Sequence, residues 1–205
     1  EMTARILNEN KGEVRLEAIS DAPCPSEPLN RVTLFQCLPK AGKLELIIQK
    51  CVELGIFAIQ PVYSKRCVVK PEAKESKLLR FNRVAQEAAK QSGRGRIPKV
   101  GPVQNLNECD FSGFDAVLIA YEDEEKTTLK QALRNAFGEE KGKSDEGGND
   151  IAIIIGPEGG FEPTEVESVL KNSPAAKSVS LGKRFLRTET AGMAMLAMLM
   201  YELEG

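Results

Sequence analysis

Residues Ile151–Ile155 read Ile-Ala-Ile-Ile-Ile, with no polar side chain at any position. A strand with one wet face alternates apolar and polar residues, so a run without alternation is buried on both faces, as in a parallel sheet covered by helices. The run breaks into Gly156-Pro157-Glu158-Gly159-Gly160-Phe161, and Pro163 then suits the first turn of a helix to about Lys171. A second short strand, Ser178–Leu181, breaks in the same way into Gly182-Lys183-Arg184-Phe185-Leu186-Arg187-Thr188-Glu189-Thr190-Ala191 and opens a helix over Glu189–Leu203. Glycines between a strand and a helix are common turn chemistry. Two such turns at the same topological position point further, because ligands of open α/β sheets bind just past the carboxyl ends of the strands. Glycine is used where backbone must approach a ligand, and Arg187, Thr188, Glu189 and Thr190 add polar side chains to the second turn.

The rest of the chain alternates in the same sense. Strands are expected at Val32–Cys37, Ile56–Val62 and Ala116–Ala120, and helices at Lys43–Leu54, Glu72–Gln91 and Thr127–Phe137, stopped near Gly55, Gly93 and Gly138. The fold class is therefore α/β, a mostly parallel sheet with helices on both faces. No G-x-G-x-x-G follows a strand and no G-x-x-x-x-G-K-[ST] loop occurs, so this is not an ordinary dinucleotide or phosphate-loop fold. Ahead of the alternation, Thr3–Leu7 and Val14–Ile19 read as two strands around an Asn-Glu-Asn-Lys-Gly turn. Residues 21–30, with prolines at 23, 25 and 28, read as a linker, and the charged, glycine-rich residues 139–150 as a mobile loop.

The chain of 205 residues contains no histidine, which removes the Ser-His-Asp triad, the Cys-His pair and histidine-ligated metals. Five widely spaced cysteines form no C-x-x-C pair, so they read as reduced thiols of a cytoplasmic protein and no metal is expected. No run reaches membrane-spanning length, and no membrane role is expected. The net charge of −2 conceals segregation: residues 62–100 hold eleven Lys/Arg against three Asp/Glu, while residues 101–170 hold five against sixteen. Such asymmetry points to a surface facing a polyanion. Lys74, Lys77, Arg80 and Arg83 also fit the wet face of a helix, whereas Lys65, Arg66, Arg94 and Arg96 lie at element ends.

The paired turns resemble the cofactor loops of the SPOUT methyltransferases, the class with a C-terminal trefoil knot. The wording is closest to the RsmE family, the 16S ribosomal RNA uridine-N3 methyltransferases. Lys50-Cys51-Val52-Glu53-Leu54-Gly55, Ser64-Lys65-Arg66-Cys67 and Glu87-Ala88-Ala89-Lys90-Gln91-Ser92-Gly93-Arg94 extend the resemblance, which runs from about Val32 to the C-terminus. It implies a PUA-like β-barrel tail with linker over residues 1–30 and a SPOUT domain over residues 31–205. It implies S-adenosylmethionine among Leu118, Ile119 and Ala120, Gly156, Pro157, Glu158, Gly159 and Gly160, and Leu181, Gly182 and Leu186, closed by Thr190 and Ala191. The last helix is apolar almost all round, so it is covered on more than one side, either inside a monomer core or, as the resemblance implies, in a homodimer.

Transfer to N3 of a uracil requires alignment and stabilisation of negative charge on the base, for which a guanidinium is suited. Arg187 is the first candidate and Arg94 the second. Glu189 is a candidate base, or fixes Arg187, or is simply a first-turn acid favoured by the helix dipole. RNA phosphates would fall to Lys65, Arg66, Arg94 and Arg96, with Lys183 and Arg184. Methylation of transfer RNA, and a noncatalytic RNA-binding assembly module keeping a relic pocket, are the competing readings.

Overall fold

A computed structural model describes residues 2–22, 24–40, 42–71, 75–138 and 147–204. Residues 139–146 of the expected loop, and Glu72, Ala73 and Lys74 at the start of the expected second helix, lie outside the described residues. The main sheet contains β3 (Arg31–Cys37), β4 (Ala58–Tyr63), β5 (Lys99–Val100), β6 (Gln104–Asn105), β7 (Ala116–Ala120), β8 (Asp150–Ile155) and β9 (Ala176–Val179). Its order is β5-β4-β3-β8-β7-β9, with β6 also beside β4, and among the described residues every strand pairing within it is parallel. The all-apolar run is the central strand β8, laddered to β3 on one side and β7 on the other.

Alternate side chains of these strands enter two separate cores. Val32, Leu34, Leu118, Ile151, Ile153 and Ile155 face α1 (Lys43–Glu53), α2 (Glu75–Gln91), α3 (Leu129–Phe137) and α5 (Thr188–Glu204). Phe35, Cys37, Val117, Ile119, Ala152 and Ile154 face α4 (Pro163–Asn172) and the Leu106–Phe111 segment. Helices on both faces are what the unbroken apolar strands require. Each fully buried Ile or Leu contributes about 1.5–3 kcal/mol relative to exposure.

Differences from expectation are local. β4 begins two residues later than expected, because Ile56 serves as a buried stop at the end of α1 and its N–H donates to Cys51 O. The last strand is Ala176–Val179 rather than Ser178–Leu181: Ser180 makes only an isolated bridge with Thr128, and Leu181 lies beyond. β1 (Met2–Asn10) and β2 (Glu13–Asp21) are longer than expected and pair with each other in a separate two-stranded sheet, tightening the turn to Lys11-Gly12.

Within the segment at 21–30, expected as a linker, Ser26, Glu27 and Asn30 are anchored to the fold, which changes the reading of Arg94. Glu27 accepts both arms of the Arg94 guanidinium, from Nε at 3.2 Å and Nη2 at 2.7 Å. Arg94 Nη1 donates to Val52 O at 3.2 Å and Ile56 O at 2.6 Å, and its side chain is 3% exposed. Ser26 donates to Gly93 O, and Asn30 Oδ1 accepts from both nitrogens of Asn149. Arg94 therefore clamps this segment to the ends of α1 and α2. It offers no guanidinium to an RNA phosphate or a uracil, and both roles expected for it are withdrawn.

Burial alone would raise the Glu27 carboxyl, but the bonded Arg94 guanidinium outweighs it and holds the group below its ordinary value of 4.5. A depressed carboxylate stabilises the fold above its unfolded value, and that contribution is lost as pH falls through the folded value. Arg94→Ala leaves Glu27 without its partner and should cost about 3–5 kcal/mol in urea unfolding at neutral pH, with a smaller cost near pH 3. A loss below about 1 kcal/mol would show that the clamp is not structural.

Candidate active site

Five loops leave the carboxyl ends of the sheet: Leu38–Lys40 after β3, Ser64–Cys67 after β4, Tyr121–Glu125 after β7, Gly156–Gly160 after β8 and Ser180–Arg187 after β9. They are tied to one another by named contacts. Glu158 Oε1 accepts from Lys40 N at 2.9 Å, and Gly159 O accepts from Arg66 Nη1 at 3.1 Å. Glu165, buried at 2% exposure near the start of α4, accepts from Lys65 N at 2.9 Å and Glu162 N at 3.0 Å. Ser180 N donates to Thr127 O, and Tyr121 N to Val179 O.

The two glycine turns meet through Thr188. Its hydroxyl donates to Gly156 O at 2.6 Å and accepts from Gln36 Nε2 at 2.9 Å. Gln36 is wholly buried near the end of β3, and its Oε1 has no hydrogen-bond partner among the described residues. Gly192 lies directly over it: an added Cβ would sit 3.0 Å from Gln36 Oε1, so a side chain there would push α5 away from β3. Gln36 was not among the expected site residues, and Thr188 was expected only as one of the polar side chains of the second turn. A glutamine inside the apolar run Val32–Cys37 is the signal that marks the first of them.

The cofactor set is brought together in part. Ala120, Leu181 and Leu186 are partly buried and pack against the same core as Ala191. Leu118 and Ile119 are 1% and 0% exposed, with their side chains in opposite cores and both neighbours laddered. They shape the strand, and Ala120 alone of the three reaches the rim. Gly160 takes φ +68°, a left-handed conformation, and an added Cβ would lie 2.4 Å from Glu122 Oε1. Gly159 faces Arg66 Cβ at 3.3 Å, so a side chain there would strike the Ser64–Cys67 turn first. Pro157 is buried, while Glu158, Gly182 and Thr190 are exposed. A separate groove of about 540 Å³, lined by Leu38, Pro39, Leu44, Leu78, Phe81 and Val103 among others, shares no residue with the two turns.

Glu189 follows Thr188 at the start of α5. Its Oε1 pairs with Lys43 Nζ at 2.9 Å, and its Oε2 is buried without a hydrogen-bond partner among the described residues. The Lys43 hydrogen bond, with a smaller contribution from the charge of Arg187, holds this carboxyl below its ordinary range. A depressed carboxylate is an anchor and acceptor, and it is poorly matched to removing a proton near neutral pH. The base role expected for Glu189 is therefore disfavoured and its effect on Arg187 favoured. Arg187 itself is exposed beside it.

The basic residues separate onto two edges. Lys65, Arg66, Lys183 and Arg184 stand exposed on the carboxyl-edge loops, although Lys65 pairs with Glu162 at 3.0 Å. Arg96 stacks on Phe57, 4.2 Å from the ring centroid, just before β4, and Arg31 pairs with Asp150 where β3 and β8 begin. That is the amino edge, about 20 Å away for strands of six or seven residues. The structure thus does not bring Arg96 to the two turns.

Residues 25–200 match a family described as the RNA methyltransferase domain. The chain is 36% identical over 178 residues to a ribosomal RNA small subunit methyltransferase E of Bacillus subtilis (strain 168), covering 85% of this chain and 67% of that protein. It is 35% identical over 194 residues to the protein of the same name in Mesomycoplasma hyopneumoniae (strain 232), covering 93% and 77%. It superposes on the crystal structure of a Ribosomal RNA small subunit methyltransferase E from Neisseria gonorrhoeae bound to S-adenosyl methionine, with TM-score 0.73, 29% identity, and coverage of 98% of this chain and 78% of that one.

If Thr188 joins the two turns, Thr188→Val keeps the shape but removes the donor to the Gly156 carbonyl and one of the two acceptors of Gln36 Nε2. Urea unfolding should show a loss of about 1–3 kcal/mol. A loss within about 0.5 kcal/mol, as for an ordinary surface position, would mean the hydroxyl is dispensable.

Proposed function

This chain belongs to the RNA methyltransferase family, in the group of ribosomal RNA small subunit methyltransferase E, and from that premise we propose that it methylates N3 of a uridine in 16S ribosomal RNA with S-adenosylmethionine as donor. The observation that carries this reading is the joining of two glycine turns at the carboxyl edge through Thr188 Oγ1.

The residues fit the cofactor. Its adenine calls for an apolar wall and backbone donors and acceptors; the wall would fall to Ala120, Leu181 and Leu186, and the backbone to Gly156, Gly160 and Leu181. The buried, unpartnered Oε2 of Glu189 awaits a donor from a bound ligand or from a reoriented Arg187. When bound, S-adenosylmethionine supplies a methyl group on a sulfonium leaving group, which leaves the protein the tasks of alignment and charge stabilisation. Arg187 presents a guanidinium to the charge developing on the uracil oxygens. Glu189, bonded to Lys43 through Oε1, would hold that guanidinium through Oε2 once Arg187 turns toward it. Arg66, Lys183 and Arg184 take RNA phosphates around the mouth of the site. No metal is invoked.

The chain path supports a C-terminal trefoil knot. After the edge strand β9 it returns to the middle of the sheet, where α5 packs on β8, β3 and α1. A homodimer is supported by the apolar side chains left exposed on and beside α5: Met198, Tyr201, Phe185 and Leu46. Residues 1–30 are read as the end of a PUA-like domain, because Ile6, Leu7, Val14, Leu16 and Ile19 are apolar and uncovered on the β1–β2 hairpin. The proposed ribosomal substrate supports a cytoplasmic location. Among the described residues no helix is long and apolar enough to cross a membrane.

Arg187→Lys keeps the charge and loses the planar fork. Single-turnover methylation should fall ~10²–10³-fold, while calorimetric titration shows near-normal binding of S-adenosylmethionine. Equal losses in both would make Arg187 a cofactor residue, and no cofactor binding by wild type would overturn the reading.

RNA affinity should fall steeply with salt as counterions are released. Replacing Arg66, Lys183 and Arg184 by Gln together should flatten the slope of log affinity against log salt by roughly two units, at about 0.7–0.9 per lost contact. An unchanged slope here, with a flatter one for Arg96→Gln, would move the RNA face to the amino edge.

A further inference from the structure

The segment between β3 and α1 has two faces, and the proposed chemistry uses only one of them. On one side Lys40 N donates to Glu158 Oε1 at 2.9 Å and Lys43 Nζ pairs with Glu189 Oε1 at 2.9 Å, so the segment closes against both glycine turns. On the other side Leu38, Pro39, Gly42 and Leu44 line the groove of about 540 Å³. Leu78 and Phe81 of α2, and Gly101, Pro102 and Val103 just past β5, complete it. Groove and turns therefore open on the same carboxyl edge. In the sheet β8 stands two places from β4, which puts them about 10 Å apart.

The groove joins an apolar lining to a basic rim. Leu38 and Leu44 are buried, and Val69, Phe81 and Val103 are partly buried against the same core. Lys70, Lys77 and Arg80 are the exposed cations among its lining residues. Glu45 is neutralised by Arg80, whose Nη2 lies 2.8 Å from its Oε2, which leaves Glu75 against Lys70 and Lys77. All three cations belong to residues 62–100, where eleven Lys/Arg face three Asp/Glu. An acyl chain or an apolar peptide would need the lining alone. A nucleotide needs both parts, since its base has apolar faces and its phosphates are anionic. The volume falls within the range of about 300–1,000 Å³ typical of small-ligand sites.

We propose that this groove receives the unstacked base of a nucleotide neighbouring the methylated uridine in the same RNA strand. The inference rests on the RNA-methylation reading above and adds a second base site to it. Sequence-specific recognition of RNA takes splayed-out bases of single-stranded loops. A uridine drawn to the glycine turns carries its neighbour across the segment between β3 and α1, whose other face is the groove. The base lies between Leu44, Phe81 and Val103, and Lys70 and Lys77 take the flanking phosphates. Lys43 ties the start of α1 to Glu189, so the same helix end sets the distance between the two bases.

The test uses the whole chain with S-adenosylmethionine and 16S ribosomal RNA carrying photoreactive 4-thiouridine at one position on either side of the methylated uridine. Irradiation followed by peptide mass mapping should link one of these positions to the peptide containing Leu78 and Phe81 or to that containing Val103. Leu78→Glu places a carboxylate in the groove and should raise KM for the RNA roughly 10-fold, the loss of one base contact, with S-adenosylmethionine affinity unchanged. Methylated RNA whose crosslinks all fall outside the groove would overturn the groove and leave the enzyme standing. An unchanged KM in Leu78→Glu would do the same, and so would a change in its oligomeric state, which would make the groove a contact between subunits. Neither methylation nor any crosslink would overturn the RNA-methylation reading and the groove with it. The crosslinking arm uses the wild-type chain, so it does not depend on a variant folding.

Discussion

A buried amide at the centre of the sheet governs the position of the site. Gln36 is wholly enclosed between β3 and α5, where a polar group without a partner costs about 1–3 kcal/mol. Its Nε2 finds Thr188 Oγ1 and Cys37 O, and the Thr188 hydroxyl passes the chain of bonds to Gly156 O. Three elements distant in sequence are thereby held in one register: the end of β3, the turn after β8 and the first residue of α5. Arg187 and Glu189 flank Thr188, so their placement follows from the same bonds. Gly192 makes the approach possible by leaving its side of α5 bare above the amide.

The second organising constraint is that a parallel sheet has two chemically different edges. The carboxyl edge gathers the glycine turns, the Lys43–Glu189 pair and the exposed cations of the Ser64–Cys67 and Gly182–Arg187 segments. The amino edge is built from structural pairs: Arg31 with Asp150, Arg94 with Glu27, and Arg96 on Phe57. Basic residues of the same 62–100 stretch thus differ in surroundings: Arg94 is neutralised inside the fold, while Lys65 and Arg66 stand exposed on the carboxyl edge. Charge counted along the chain reports their number and is blind to this division.

Much of the architecture was legible because burial writes itself into local pattern. Unbroken apolar runs located β7 and β8, and the helical spacing of Leu44, Ile47, Ile48 and Cys51 located α1. The two turns were legible through their glycines. The last strand was displaced by two residues because Leu181 is apolar for another reason: it packs against the core past the strand end. The role of Arg94 was not legible, since its partner Glu27 lies 67 positions away in a proline-rich stretch with no periodicity. The Thr188 bridge was equally hidden, because hydrogen bonds across 152 and 32 positions leave no trace in a window of neighbours.

The central claim is that these joined turns serve methyl transfer to one uridine of the small-subunit RNA. The most direct measurement incubates the protein with labelled S-adenosylmethionine and a mixture of small ribosomal subunits, 16S ribosomal RNA lacking the modification, and transfer RNA, then maps the label by nuclease digestion and mass spectrometry. The account predicts a single N3-methyluridine in 16S ribosomal RNA and none elsewhere. Label on transfer RNA would contradict the substrate, and bound cofactor with no label on any RNA would contradict the enzyme.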